Sequence, residues 1–355
     1  MRKIQKHAYA VTAAACLAIV VVGPAPASAA PVAPPAVAVL PLTRAADVVA
    51  TADRVFVSGG RETTQIAVTD TAGAVTAVLD GLPGPGDLQL SDDRRTLYVA
   101  LPGADAIAVF DTRTLRETAR YSTGAGTCPW YVTVTGRYLW FGYGCGQWDS
   151  DIGRVDLRRR PAAAVTTGLA GQKFFVPPLL AAARDNPSIL LVGETDPSPS
   201  RLWTYGIGAR GTLTLTSPPV FDFTNENLVD IALEPTGEFA YTVAMSPGAV
   251  RAYWTPDLSQ QIHAYHLGSF PAGLELNRAG TRIAATVQSF DSRQLHVFGT
   301  DGLVVAQVNL NGQTTTLARG GVAWSPNSRR VYAVTYDDTE PADRAELHIL
   351  TVPAA

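Results

Sequence analysis

The stretch Ser91-Asp92-Asp93-Arg94-Arg95-Thr96-Leu97-Tyr98-Val99-Ala100 runs from a polar turn into a hydrophobic strand. Ile107-Ala108-Val109-Phe110-Asp111 supplies a second strand after a short connection. Leu, Tyr, Val, Ile and Thr favour a pleated, buried strand, whereas Ser and Asp suit a turn. The same element recurs as Arg54-Val55-Phe56-Val57, Arg137-Tyr138-Leu139-Trp140, Ser188-Ile189-Leu190-Leu191, Glu238-Phe239-Ala240-Tyr241, Thr281-Arg282-Ile283-Ala284 and Arg330-Val331-Tyr332-Ala333. With Thr96–Val99 that makes seven copies, at intervals of 42, 41, 51, 50, 43 and 49 residues.

A second strand follows each copy, beginning at Ile66, Ile107, Ile152, Leu202, Val250, Leu295 and Leu347. A third precedes it, clearest at Leu88–Leu90, Ile231–Leu233, Leu274–Leu276 and Val322–Trp324. A fourth closes most units, as at Val75, Glu117, Gln261 and Val304. Four strands in each of seven units are the arithmetic of an all-β, seven-bladed β-propeller, in which blades too thin to be stable alone bury each other's faces around an axis. The seventh unit stops three strands in, while Ala36-Val37-Ala38-Val39-Leu40 stands unclaimed before the first. The N-terminal strand is therefore expected to supply the outermost strand of the last blade, giving one propeller domain over residues 36–355.

The quoted Ser91–Leu115 stretch and Trp324-Ser325-Pro326-Asn327-Ser328-Arg329-Arg330-Val331-Tyr332-Ala333 resemble the YVTN-type repeats of secreted bacterial seven-bladed propellers. Trp140-Phe141-Gly142-Tyr143-Gly144-Cys145, followed by Gly-Gln-Trp-Asp, is similar to exported actinobacterial propellers. The resemblance implies fold and export and no single activity.

Residues 1–29 read as a signal peptide. Arg2, Lys3 and Lys6 precede the uncharged run Ala8–Val22, too short for a typical spanning helix, and Ala27-Ser28-Ala29 fits a small-x-small cleavage site. Residues 30–35 form an extended, Pro/Ala-rich lead-in, and no later segment is long and apolar enough to span a membrane. Beyond residue 29 the chain holds 25 Lys+Arg against 31 Asp+Glu, which speaks against a nucleic-acid partner. The expected setting is secreted, extracellular or bound to the cell wall, as a monomer.

Two cysteines follow the leader. If Gly136-Arg137 is a two-residue hairpin turn, Cys128 and Cys145 fall opposite each other on a non-hydrogen-bonded pair, where Cα atoms lie about 4.5 Å apart, so a cross-strand disulfide is expected. Trp130, Tyr131, Tyr138, Trp140, Phe141, Tyr143 and Trp148 crowd the same segment. They read as blade packing or as an aromatic ledge for a sugar or peptide, with Trp148 the best ledge candidate. Asp149 and Asp151 offer a calcium pair, but without the run of ligands of a full loop. The acidic loop Asp337-Asp338 with Glu340 and Asp343 reads the same way. His263 and His266, three apart on a strand, face opposite sides and make a poor metal pair.

No nucleophile elbow, phosphate loop or zinc-protease motif is present, and no catalytic residue or cofactor is assigned. Asp87, Trp130, Asp230, Glu275 and Gly321 lie at the starts of innermost strands and are expected at the channel mouth. The reading that fits best is an exported, non-catalytic binding or scaffold module for an extracellular or cell-wall protein or glycan. A metal-assisted hydrolase would need Asp87, Asp230 and Glu275 to converge on a divalent ion, as in lactonase-type propellers. A lectin-like propeller would need two exposed, coplanar aromatics on one face.

Overall fold

A computed structural model describes residues 32–159, 164–217, 220–222, 226–246, 248–268, 270–289, 293–310, 316–337 and 344–353. The signal peptide expected at residues 1–29 and the acidic residues Asp338, Glu340 and Asp343 lie outside them. Among the described residues no helix is long and apolar enough to cross a membrane.

The chain is a seven-bladed β-propeller. Strand β1 (Ala36–Val39) comes first. Blade 1 is β2 (Asp47–Ala50), β3 (Arg54–Ser58), β4 (Ile66–Asp70) and β5 (Val75–Leu79). Blade 2 is β6 (Leu88–Leu90), β7 (Thr96–Leu101), β8 (Ala106–Asp111) and β9 (Glu117–Ser122). Blade 3 is β10 (Pro129–Thr135), β11 (Tyr138–Tyr143), β12 (Asp151–Asp156) and β13 (Val165–Thr166). Blade 4 is β14 (Leu179–Ala182), β15 (Ile189–Glu194), β16 (Ser200–Ile207), β17 (Leu213–Leu215) and β18 (Val220–Asp222). Blade 5 is β19 (Glu226–Leu233), β20 (Phe239–Ser246), β21 (Ala249–Trp254) and β22 (Gln261–His266). Blade 6 is β23 (Pro271–Leu276), β24 (Arg282–Val287), β25 (Leu295–Gly299) and β26 (Val304–Val308). Blade 7 is β27 (Thr316–Trp324), β28 (Arg330–Tyr336) and β29 (Glu346–Thr351).

Blade 7 is completed by β1, which pairs antiparallel with β29 from Ala36–Ile349 to Val39–Glu346. The pairing continues through Leu40 N to Ala345 O (2.8 Å) and Ala345 N to Leu42 O (2.7 Å). Blade 4 departs from the four-strand pattern. Its eight-residue β16 has room for β17 against one half and β18 against the other.

Each gap between successive blades holds its own apolar cluster. Period-two alternation sends neighbouring residues to opposite gaps. Val55 and Val57 face blade 7 while Phe56 faces blade 2. Leu97 and Val99 then face blade 1 while Tyr98 and Ala100 face blade 3. That is why the middle strands read as unbroken apolar runs. The turns repeat as well: Arg94, Gly237, Gly280 and Ser328 take left-handed φ between 56° and 80° at matching places after the innermost strands.

Leu40, fully buried against blades 7 and 1, anchors the closure. Leu40→Ala is expected to cost about 3 kcal/mol by urea denaturation, with the m-value unchanged. A change below about 0.5 kcal/mol would mean the N-terminal strand does not hold the ring.

Candidate functional site

Antiparallel order puts the connections between blades, and those between second and third strands, on one face, here the upper. The remaining turns form the lower face. The innermost strands, β2, β6, β10, β14, β19, β23 and β27, line a central channel. Its upper part is a cavity of about 680 Å³.

Innermost strands are sheet edges, so some of their N–H groups have no ladder partner. Side-chain carboxylates supply acceptors across four blade junctions. Asp47 Oδ2 accepts from Leu88 N (2.7 Å), and Asp87 Oδ2 from Val132 N (2.6 Å). Asp230 Oδ2 accepts from Leu274 N (3.0 Å), and Glu275 Oε2 from Trp324 N (2.7 Å). Asp47 and Asp230 also take the N–H of the residue that follows each of them.

Asp87, Asp230 and Glu275 thus line one cavity together with Asp47, which sequence reading missed. Its signal was available: Asp47-Val48 repeats the Asp-apolar pair of Asp87-Leu88 and Asp230-Ile231. The acids form two adjacent pairs, on blades 1 and 2 and on blades 5 and 6. Among the described residues none of the four has an ion-pair partner. Burial pushes Asp230 up to about 7 and Glu275 up to about 8. Asp47 and Asp87 are likewise raised by burial. The neighbouring Asp87 carboxyl raises Asp47 further.

The donor set does not offer three carboxylates to one ion. Three channel carboxylates do not come within 4.8 Å of one another. Among the described residues the potential ligand cluster that meets that spacing is Asp105 with Cys128 and Cys145, whose sulfurs are bonded to each other.

The cystine joins Cys128 to Cys145 with Cα atoms 5.2 Å apart. The hairpin turns at Gly136-Arg137, and pairing from Thr135–Tyr138 to Tyr131–Gly142 follows the expected register. Beyond it a bulge at Trp130 shifts the pairing, so Cys128 O receives Gly144 N (3.3 Å) and the sulfurs bridge a diagonal rather than a directly opposed pair. Asp105 fixes this corner by accepting from Cys128 N and Gly126 N, both at 2.8 Å. Burial would raise its pKa, but these N–H bonds outweigh burial and lower it.

The bulge turns two successive aromatic side chains, Trp130 and Tyr131, to the cavity. Trp130 Nε1 donates to Gly144 O (3.2 Å), and the Arg61 guanidinium lies 5.5 Å from its ring centre. Arg319 and Gly320 line the rim where Gly321 was expected. Neither Arg61 nor Arg319 belongs to a repeating position, so nothing in the repeat points to them.

The other nominees lie elsewhere. Trp148 is 62% exposed on the upper face, its ring 5.1 Å from Phe175 at 68°, so the two do not form a coplanar ledge. Asp149 is exposed and accepts from Gly146 N (3.2 Å). Asp151 is buried and bound to Lys173 Nζ (3.1 Å), which splits the calcium pair. Tyr138, Trp140, Phe141 and Tyr143 are buried between blades.

The lower mouth is crossed by side chains from alternate blades. Arg278 of blade 6 pairs with Asp92 of blade 2 (2.7 Å), and Arg184 of blade 4 donates to Arg278 O (2.6 Å).

No family model matches the chain, and no curated protein is detectably similar to it. Two predictions follow from the geometry of the site. Unfolded carboxyls lose their protons near pH 4 but Asp230 and Glu275 only near 7 and 8, so the folded state holds extra protons between and stability declines as pH rises. His348, lowered to about 4 by burial, and His296, also lowered, act in the opposite sense, and only below the ordinary imidazole value of 6.5. The Tm is therefore expected to fall by several degrees from pH 6.5 to 8.5, and Asp230→Asn with Glu275→Gln to flatten that slope; a Tm that rises over this range refutes the assignment. Replacing both cysteines by Ser is expected to cost about 3 kcal/mol and to shift Trp130 emission to the red. Unchanged emission would mean that the cystine does not position the ring.

Similar solved structures include hydrazine synthase of Kuenenia stuttgartiensis, at 16% identity and a TM-score of 0.67 over 89% of this chain and 96% of that one. A chain of the mitotic checkpoint complex is similar at 16% identity and a TM-score of 0.67, over 99% of this chain and 100% of that one. At such identity the likeness shows the fold alone, a seven-bladed β-propeller.

Proposed function

We propose that this protein is an exported binding module that takes its ligand at the upper mouth of the channel. The observation that carries the reading is the cavity of about 680 Å³ beneath Arg61, Trp130 and Arg319. Its size suits a small molecule or a single side chain of a larger partner. The leader-like residues 1–29 and the cystine support export. Against a metal-assisted hydrolase stands the use of the channel carboxylates as clasps between blades, spaced too widely for three to share one ion. The ligand is sought extracellularly or in the cell wall.

Arrays of cell-wall glycans and peptides test this with the wild type, Arg61→Ala/Trp130→Ala and Trp148→Ala. Binding should fall at least tenfold in the mouth variant and persist in Trp148→Ala. The reverse pattern moves the site to the outer surface and rejects the proposal.

A further inference from the structure

We propose that the upper cavity is a receptor for an organic cation, a guanidinium or alkylammonium group held between aromatic rings and facing carboxylates. This rests on the reading of the upper mouth as the binding site and names the chemistry it selects.

Three independent features carry it. The first is the bulge in β10, which breaks strand alternation to aim both Trp130 and Tyr131 at one cavity. Adjacent strand residues otherwise face opposite ways, and two ring faces side by side are what a cation without a compact ionic radius needs. Tyr131 is half-buried, and burial together with the nearby Asp87 raises its phenol above the ordinary value. The second is the set of acids below the rings: Asp47 and Asp87 on one side, Asp230 and Glu275 on the other. Asp87 and Glu275 each use one oxygen to clasp the next blade, Asp47 and Asp230 use both on backbone N–H groups, and a carboxylate oxygen has a second lone pair to offer. No three of them lie within 4.8 Å of one another, a spread that suits a polyatomic head with several donors.

The third is that the protein already places its own guanidiniums at both ends of this channel. Arg61 lies over Trp130 at the top. Arg94, half-buried in the lower part, donates to Ala50 O and acts on Glu275. Among the described residues no such cation pairs with Asp47, Asp87 or Asp230. An entering cation would displace Arg61 from the indole and take the place between the facing acids. Arg61 and Arg319 at the rim would then favour a ligand whose far end is neutral or anionic.

The test uses the chain without residues 1–29, by calorimetry and thermal shift at pH 8.5 and 5.5. Agmatine represents a free cation, an acetylated and amidated Gly-Arg-Gly peptide a basic side chain of a polypeptide, and citrulline the neutral isostere. Calcium chloride represents a metal ion. At pH 8.5 agmatine or the peptide should bind and raise the Tm, and whichever binds tighter identifies the source. Citrulline and calcium should do neither. Affinity should drop at least tenfold at pH 5.5, where the acids are protonated, and binding at pH near 7 should release protons. Asp87→Asn, which keeps an acceptor for Val132 N, and Tyr131→Leu should each weaken binding at least tenfold without lowering the Tm of the free protein by more than a few degrees.

Equal binding of citrulline, affinity independent of pH, or failure of both cations at pH 8.5 overturns the inference. If the cations fail while an array ligand still depends on Trp130, the mouth remains the site and only its cation selectivity falls.

Discussion

The ring depends on how its inner edges are satisfied. A blade's outer strands can face water, but its innermost strand meets its neighbours at the axis, where few waters reach and no further strand can pair. Backbone N–H groups left there would be costly. At four of the seven junctions a carboxylate on one blade accepts from the innermost strand of the next. The bonds run in one rotational sense, so each blade is oriented by the one before it. Apolar clusters fill the gaps, but such packing is tolerant of small slips; a hydrogen bond of 2.6–3.0 Å is not.

The same choice creates the chemistry of the channel. Carboxylates serve as clasps, yet on blades 1, 2, 5 and 6 they gather with no ion-pair partner among the described residues. Blades 3, 4 and 7 place Tyr131, Leu180 and Gly320 at the axis instead. The repeat is thus regular in backbone and irregular in what it shows to the cavity. That irregularity, with the bulge at Trp130 beside the cystine, gives the cavity a lining that the repeat alone would not.

The fold was legible because burial between blades imposes one pattern seven times. Val55, Val57 and Phe56, or Leu97, Val99 and Tyr98, announce two buried faces by themselves, and Ser91-Asp92-Asp93-Arg94 announces its turn. Blade 4 was less legible, since β17 and β18 share β16 and neither is a full strand. In the site, Asp87, Asp230 and Glu275 could be placed at the axis because the repeat fixes which strands are innermost, although Asp230 and Glu275 sit late in β19 and β23 rather than at their starts. Arg61 could not, since it hangs from the connection between β3 and β4, nor could Arg319, which sits where β27 loses its register between Leu317 and Val322. The cystine register erred by the single residue of the bulge, a tertiary feature that pair counting does not contain. Asp149 and Asp151 looked equivalent, yet Asp149 lies in the exposed turn before β12 while Asp151 opens that strand, buried beside Lys173.

The pairing of β1 with β29 also sets an order of events in synthesis. Ala36–Val39 is made some three hundred residues before Glu346–Ile349, the segment it must pair with. Until Glu346–Thr351 emerges, seven wedges can stack but cannot seal, and Leu40 has nowhere to go. A chain interrupted anywhere before that point remains an open arc with two raw edges. Completion of the circle therefore reports that synthesis has passed the last blade's outer partner strand.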